Sequence, residues 1–147
     1  MTIRIVLADD HAAFRSSLKV LLERQPGLSV VMEAESGRAA IEAIVSWGET
    51  PPDLLILDMD MRDLSGLQVA QTLLDQRPTL RILMLSWYDD LPLVSAAAAA
   101  RCRSYMLKDD PLAELMHAIH LVASGGTYLS AALRGVQTSG NPISAFC

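Results

Sequence analysis

The 147-residue chain has no basic stripe, no long apolar run and no cysteine pair at metal-ligating spacing. Each absence closes a class of function. Lysine and arginine number 12 against 17 aspartate and glutamate, a formal charge of −5. Proteins that grip nucleic acid neutralise its phosphates with clustered cations, so direct nucleic-acid binding by this chain is not expected. No apolar run approaches the roughly 20 residues that cross a bilayer. The richest, residues 91–100, is alanine-heavy and bounded by Asp89, Asp90 and Arg101. No membrane association is therefore expected. The N-terminus runs straight into Asp9-Asp10, without the apolar region and cleavage site of a signal peptide, and a cytoplasmic protein is expected. Cys102 and Cys147 lie far apart with no histidine placed to join them, which points to reduced thiols. His11, His117 and His120 share no metal-type spacing, and the last two fit a helix surface.

The chain does have alternation. Short, branched apolar runs at 3–8, 29–34, 54–57 and 81–85, with a weaker one at 104–107, read as strands. Between them lie segments of helical period. Phe14, Leu18, Leu21 and Leu22 share one face before Pro26-Gly27. Further helices are predicted over about 38–47, 67–76 and 91–100. In the last helix Asp110 is the expected N-cap and Pro111 the first helical residue. Leu112, Leu115, Met116, Ile119 and Val122 line its face, and Gly125-Gly126 ends it. Strict alternation predicts right-handed crossovers and an α/β fold, a five-stranded parallel sheet with helices on both faces. The expected domain covers 1–126, and 127–147 reads as a tail or the start of a linker.

Ligands of open parallel sheets bind beyond the carboxyl ends of the strands. The predicted strands end in Asp9-Asp10, Asp58, Ser86 and Lys108, so three carboxylates, a hydroxyl and an ammonium are expected at one edge. Clustered carboxylates repel unless a cation joins them. A hard divalent ion with oxygen ligands, Mg²⁺ above all, suits them. Asp58, ending the central strand, is placed as a nucleophile. Lys108 can pair with a phosphoryl oxygen, and Ser86 can donate to another. The blander readings are a solvated turn for Asp9-Asp10, a loop cap for Asp58, a surface charge for Lys108 and a satisfied loop hydroxyl for Ser86. Convergence on one edge is what sets them aside.

Five motifs lie in this order: "LADDH" (7–11), "LLILDMDM" (54–61), "LSG" (64–66), "ILMLSWYDD" (82–90) and "YMLKDD" (105–110). With them the chain resembles the receiver domain of bacterial two-component response regulators, over roughly residues 3–124. The resemblance implies a flavodoxin-like (βα)5 fold and a phosphoryl group accepted on Asp58 from a sensor histidine kinase. It implies Mg²⁺ held by Asp9, Asp10, Asp58 and the backbone carbonyl of Asp60. Ser86 is then the switch hydroxyl, Tyr105 a switch aromatic that turns inward behind it, and Lys108 the phosphate-sensing lysine. Such a domain catalyses its own phosphotransfer and dephosphorylation but is no enzyme otherwise. The switch would remodel a partner-binding or homodimer surface and control an output, with transcription the one the resemblance implies. "LADDHAAFRSSLKVLLE" and "LVASGGTYLS" resemble the LuxR/NarL type, whose helix-turn-helix domain does not follow here.

Three positions depart from that pattern. Arg62 follows Met61 where proline is usual, Trp87 follows Ser86 where a small residue is usual, and residues 100–104 lack the usual glycines. Any left-handed position in that turn would be strained. Two rivals remain. Asp58-Met59-Asp60 also resembles the nucleophile motif of haloacid dehalogenase-type phosphatases, with Asp60 as general acid/base, but that reading gives Asp9-Asp10 no role. A phosphorylation-independent, receiver-like binding module is the other, motivated by Trp87 and the glycine-free turn.

Overall fold

Strands and helices alternate through the chain as the pattern predicts. The computed structural model describes residues 2–134. In order they form β1 (Ile3–Ala8), α1 (Ala12–Glu23), β2 (Leu28–Ala34), α2 (Gly37–Val45), β3 (Leu54–Asp58) and α3 (Gly66–Gln76). There follow β4 (Ile82–Ser86), α4 (Leu91–Ala99), β5 (Ser104–Leu107), α5 (Leu112–Ala123), β6 (Tyr128–Leu129) and α6 (Ala131–Arg134). The sheet order is β2-β1-β3-β4-β5-β6, parallel throughout.

Residues of β3 and β4 are buried on both faces, as apolar central strands should be. Because neighbouring side chains on a strand point to opposite faces, the sheet divides the core in two. Leu55, Leu57, Ile82 and Met84 pack on α2, α3 and α4. Leu54, Ile56, Leu83 and Leu85 pack on α1 and α5 through Leu18, Leu22, Leu115, Ile119 and Val122. Leu21, expected on the buried face of α1, is 38 % exposed and forms a lip of a cavity of about 140 Å³ between α1 and α5. Cys102 sits in the first core, where burial pushes its thiol up to about 12 and leaves it unreactive.

The sheet does not stop at residue 126, where a tail was expected. Tyr128 and Leu129 add a sixth strand beside Ser104 and Tyr105, and Leu133 of α6 reaches the core. Polar contacts hold this segment. Glu114 accepts from the Tyr128 hydroxyl at 3.0 Å and from the Ala131 amide at 2.6 Å. The Ser130 hydroxyl donates to Asp110 at 3.0 Å. A two-residue strand carries no period, so nothing in the sequence pattern announces it. The rest of the expected tail, 135–147 with Cys147, lies outside the described residues.

Asp110 is not the cap of α5. Pro111 takes that position, and the Asp110 carboxylate turns back to accept from the Leu107 amide at 2.8 Å as well as from Ser130. Two donors, one on β5 and one just after β6, outweigh the single orphan amide it could have capped. At the opposite end of the sheet, four arginines tie loops and helix ends together. Arg4 donates to the Pro51 carbonyl, Arg77 to Trp47, Arg81 to Ala123 and Arg103 to Gly125. Cations suit the carbonyl ends of helices.

The turn after α4 is a Schellman motif. The Cys102 amide bonds the Ala97 carbonyl and the Arg101 amide bonds Ala98. The motif needs a left-handed residue, and Arg101 supplies it at φ +68°, where a side chain costs about 1 kcal/mol. Arg101→Gly is therefore expected to raise stability by about 1 kcal/mol, roughly 3 °C in Tm. The ion pair it gives up, Arg101 with Asp75 at 4.0 Å, is exposed and worth little. A thermal melt in which the glycine variant is less stable would show that the turn is not strained.

Candidate functional site

Strand ends build the site. Asp9 follows β1, Asp58 closes β3, Ser86 closes β4 and Lys108 follows β5. All four are buried, and Asp10 lies at the rim with a 13 % exposed side chain. The Lys108 ammonium donates to Asp9 Oδ2 at 2.8 Å and lies 3.3 Å from Asp58 Oδ1. The Asp60 amide also donates to Asp58 Oδ1, at 3.2 Å. Asp58 Oδ2 is buried and has no partner, an arrangement that costs about 1–3 kcal/mol. The Asp9-Asp10-Asp58 convergence expected from the strand ends is thus present, with Ser86 and Lys108 beside it.

The loop that carries Asp60 is fixed by short-range geometry. A capping box at Ser65 and Gln68 starts α3. Gly66 then passes so close to β3 that a Cβ there would lie 2.3 Å from the Asp58 carbonyl oxygen; only glycine fits. Asp63 reaches across to accept from the Gly37 and Arg38 amides, both at 2.9 Å. Those two bonds hold its carboxyl below the usual range and anchor the loop to the start of α2.

His11 was not singled out by spacing, yet its Nδ1 lies 3.4 Å from Asp9 and 3.5 Å from Asp10. Asp9, Asp10, His11 and Asp58 offer ligand atoms all within 4.8 Å of one another. Only its place directly after the acidic pair hints at this. Arg62 bonds Asp10 through its amide at 3.0 Å, while its guanidinium stays almost wholly exposed. Trp87 sits at the mouth, 55 % exposed, with its ring edge-on to Phe14 at 6.1 Å.

Tyr105 is already inside. It is fully buried, its hydroxyl donates to the Tyr88 carbonyl at 2.8 Å, and burial pushes its pKa up to about 12. The Tyr88 amide in turn donates to Ser86 Oγ at 2.9 Å, and the Tyr88 hydroxyl to Asp60 Oδ2 at 3.1 Å. No inward turn is needed to bring Tyr105 behind Ser86. The Asp60 carboxylate is thus engaged by the Tyr88 hydroxyl. Asp110 is equally occupied elsewhere.

The family model described as "Response regulator receiver domain" matches residues 5–120. The chain belongs to the response regulator receiver family. It is 32 % identical over 127 residues to the transcriptional regulatory protein DegU of Brevibacillus brevis, covering 86 % of this chain and 52 % of that protein. It is 39 % identical over 129 residues to the transcriptional regulatory protein UhpA of Escherichia coli K12, covering 87 % and 62 %. The chain therefore spans about half to three fifths of the length of these relatives. A LuxR-family two-component response regulator from Aurantimonas sp. SI85-9A1 superposes with a TM-score of 0.85 at 28 % identity, covering 92 % of this chain and 94 % of that one. The parallel α/β architecture is the family's, with β6 added to the five expected strands. Among the described residues no helix is long and apolar enough to cross a membrane.

The donor set of this receiver domain fits a hard divalent cation. Three carboxylates face one buried ammonium, and the unpartnered Asp58 Oδ2 is an oxygen ligand in waiting. Burial above all, and then the charge of Asp9, raise the Asp58 carboxyl from 3.8 to about 6, against the opposing pull of Lys108. A carboxyl raised in the folded state favours folding while protonated. That contribution is lost as pH rises from 3.8 through about 6. In chelator at pH 7, Asp58→Asn is expected to be more stable than the native chain by roughly 1–3 kcal/mol. Melting curves with no gain at pH 7 would refute the charge conflict.

Proposed function

We propose that Asp58 accepts a phosphoryl group from the phosphohistidine of a sensor histidine kinase. The phosphorus–nitrogen bond breaks as a bond to a carboxylate oxygen of Asp58 forms. The observation that carries this reading is the geometry of one carboxylate: Oδ1 is held by Lys108 and the Asp60 amide, whereas Oδ2 is free of partners. Asp58 is thus oriented by one oxygen and can react through the other.

Mg²⁺ would be held by Asp9, Asp10, Asp58 and the backbone carbonyl of Asp60, and when bound it offsets the negative charge that the anionic donor meets. Lys108 transfers from the carboxylates to a phosphoryl oxygen, where its charge stays compensated. Ser86, whose Oγ accepts from the Tyr88 amide, carries a hydroxyl proton that can be donated to a phosphoryl oxygen. The chain promotes its own phosphorylation and dephosphorylation and has no separate substrate. Phosphorylation biases the α4–β5–α5 surface toward a partner-binding or homodimeric form. Transcription control then passes through that partner or through a longer protein, inside the cell.

A second reading has an observation of its own. Tyr105 is buried without any phosphoryl group present, which favours a constitutive binding module over a switch. Intact-protein mass after incubation with Mg²⁺ and acetyl phosphate separates the two. A hydroxylamine-labile adduct on the native chain, absent from Asp58→Asn, is the expected result. An adduct that persists in Asp58→Asn would sink the assignment, and a folded native chain with no adduct would favour the module.

A further inference from the structure

Lys108 has aromatic neighbours as well as its carboxylates. Its ammonium lies 4.5 Å from the ring centre of Phe14 and 5.8 Å from that of Trp87. The two rings meet edge to face at 65°. Phe14 belongs to the first turn of α1, and Trp87 directly follows β4, so separate elements bring the rings together over one cation. The Lys108 side chain is wholly covered, whereas Trp87 is 55 % exposed. A residue so exposed contributes little as core, and its indole instead covers the ammonium.

An ammonium carries three donors. Those of Lys108 are shared between Asp9 and Asp58, and the ammonium also meets aromatic surface. Ring faces attract a cation, more strongly once it is desolvated. We propose that Phe14 and Trp87 form an aromatic clamp that positions the Lys108 ammonium for phosphoryl transfer to Asp58. They are positioning residues and act through Lys108. The proposal rests on the phosphoacceptor reading. A charge fixed before reaction needs no reorganisation as negative charge shifts in the transition state, so the clamp should quicken loading although its bulk narrows the mouth.

That opposition makes the test decisive. The rate of adduct formation with acetyl phosphate and Mg²⁺ is followed by intact mass. In this reaction acetate leaves with the electron pair of the broken phosphorus–oxygen bond as the Asp58 oxygen bonds to phosphorus. Trp87→Ala is expected to slow loading roughly threefold to tenfold, and Trp87→Phe, which keeps a ring, to restore most of the rate. In a Lys108→Met background, Trp87→Ala should cause no further slowing, because the residue it acts through is gone. Faster loading in Trp87→Ala would overturn the clamp and leave the indole as a steric barrier, and undiminished slowing in the Lys108→Met background would overturn it as well. A metal-free readout stands apart from the phosphorylation chemistry. With Trp47→Phe leaving Trp87 as sole tryptophan, Lys108→Met should shift its fluorescence emission, and an unchanged spectrum would overturn the contact. If the native chain forms no adduct while that shift is present, the phosphoacceptor reading fails but the contact stands.

Discussion

One buried ammonium ties together strand ends that are far apart in the chain. Lys108 reaches Asp9, 99 residues before it, and Asp58 on the strand between. A lysine this deep is tolerated because both carboxylates meet it, and the carboxylates are tolerated because it is there. The balance is incomplete, since three acidic groups converge on one buried cation, with the exposed Arg62 guanidinium 3.7 Å from Asp10 besides. Some charge is left for a divalent ion to offset, and one oxygen of Asp58 is left unpartnered. The proposed reactivity of Asp58 rests on that shortfall.

The shortfall persists because the surroundings are rigid. β3 and β4 are buried on both faces, so Asp58 and Ser86 stand on strands that cannot shift without disturbing two cores. The loop after Asp58 is held at both ends, by Gly66 against the strand and by Asp63 on the start of α2. Opposite the site, arginines tie down helix ends. Acidic groups gather at the reactive edge around Lys108.

A continuous set of bonds leads outward from the site. Ser86 receives the Tyr88 amide, Tyr88 receives the Tyr105 hydroxyl, and Tyr105 pairs along its strand with Leu129 of β6. A second route runs from Leu107, which directly precedes Lys108, through Asp110 to Ser130. Both routes end on the segment after α5, so a change in Lys108 or Ser86 meets a physical link to the last described elements. Tyr105 lies buried along the first of these routes.

Period and position made most of the fold legible. Strand ends predicted Asp9, Asp10, Asp58, Ser86 and Lys108 together because a parallel sheet must gather the ends of its strands at one edge. The glycine-free turn announced strain, and Arg101 carries it. Other features left no local signal. β6 is two residues held by Glu114 and Asp110, Asp110 prefers strand donors to its own helix, and His11 joins the acidic cluster through a turn. The clasp of Phe14 and Trp87 on Lys108 joins residues from three separate elements. Sequence alone determined the elements from β1 through α5, their order and which residues stand at the strand ends, since these follow from local periodicity and topology. Only the tertiary structure decided which partner each polar group takes, because that choice is a competition among donors and rings brought close by packing of distant segments.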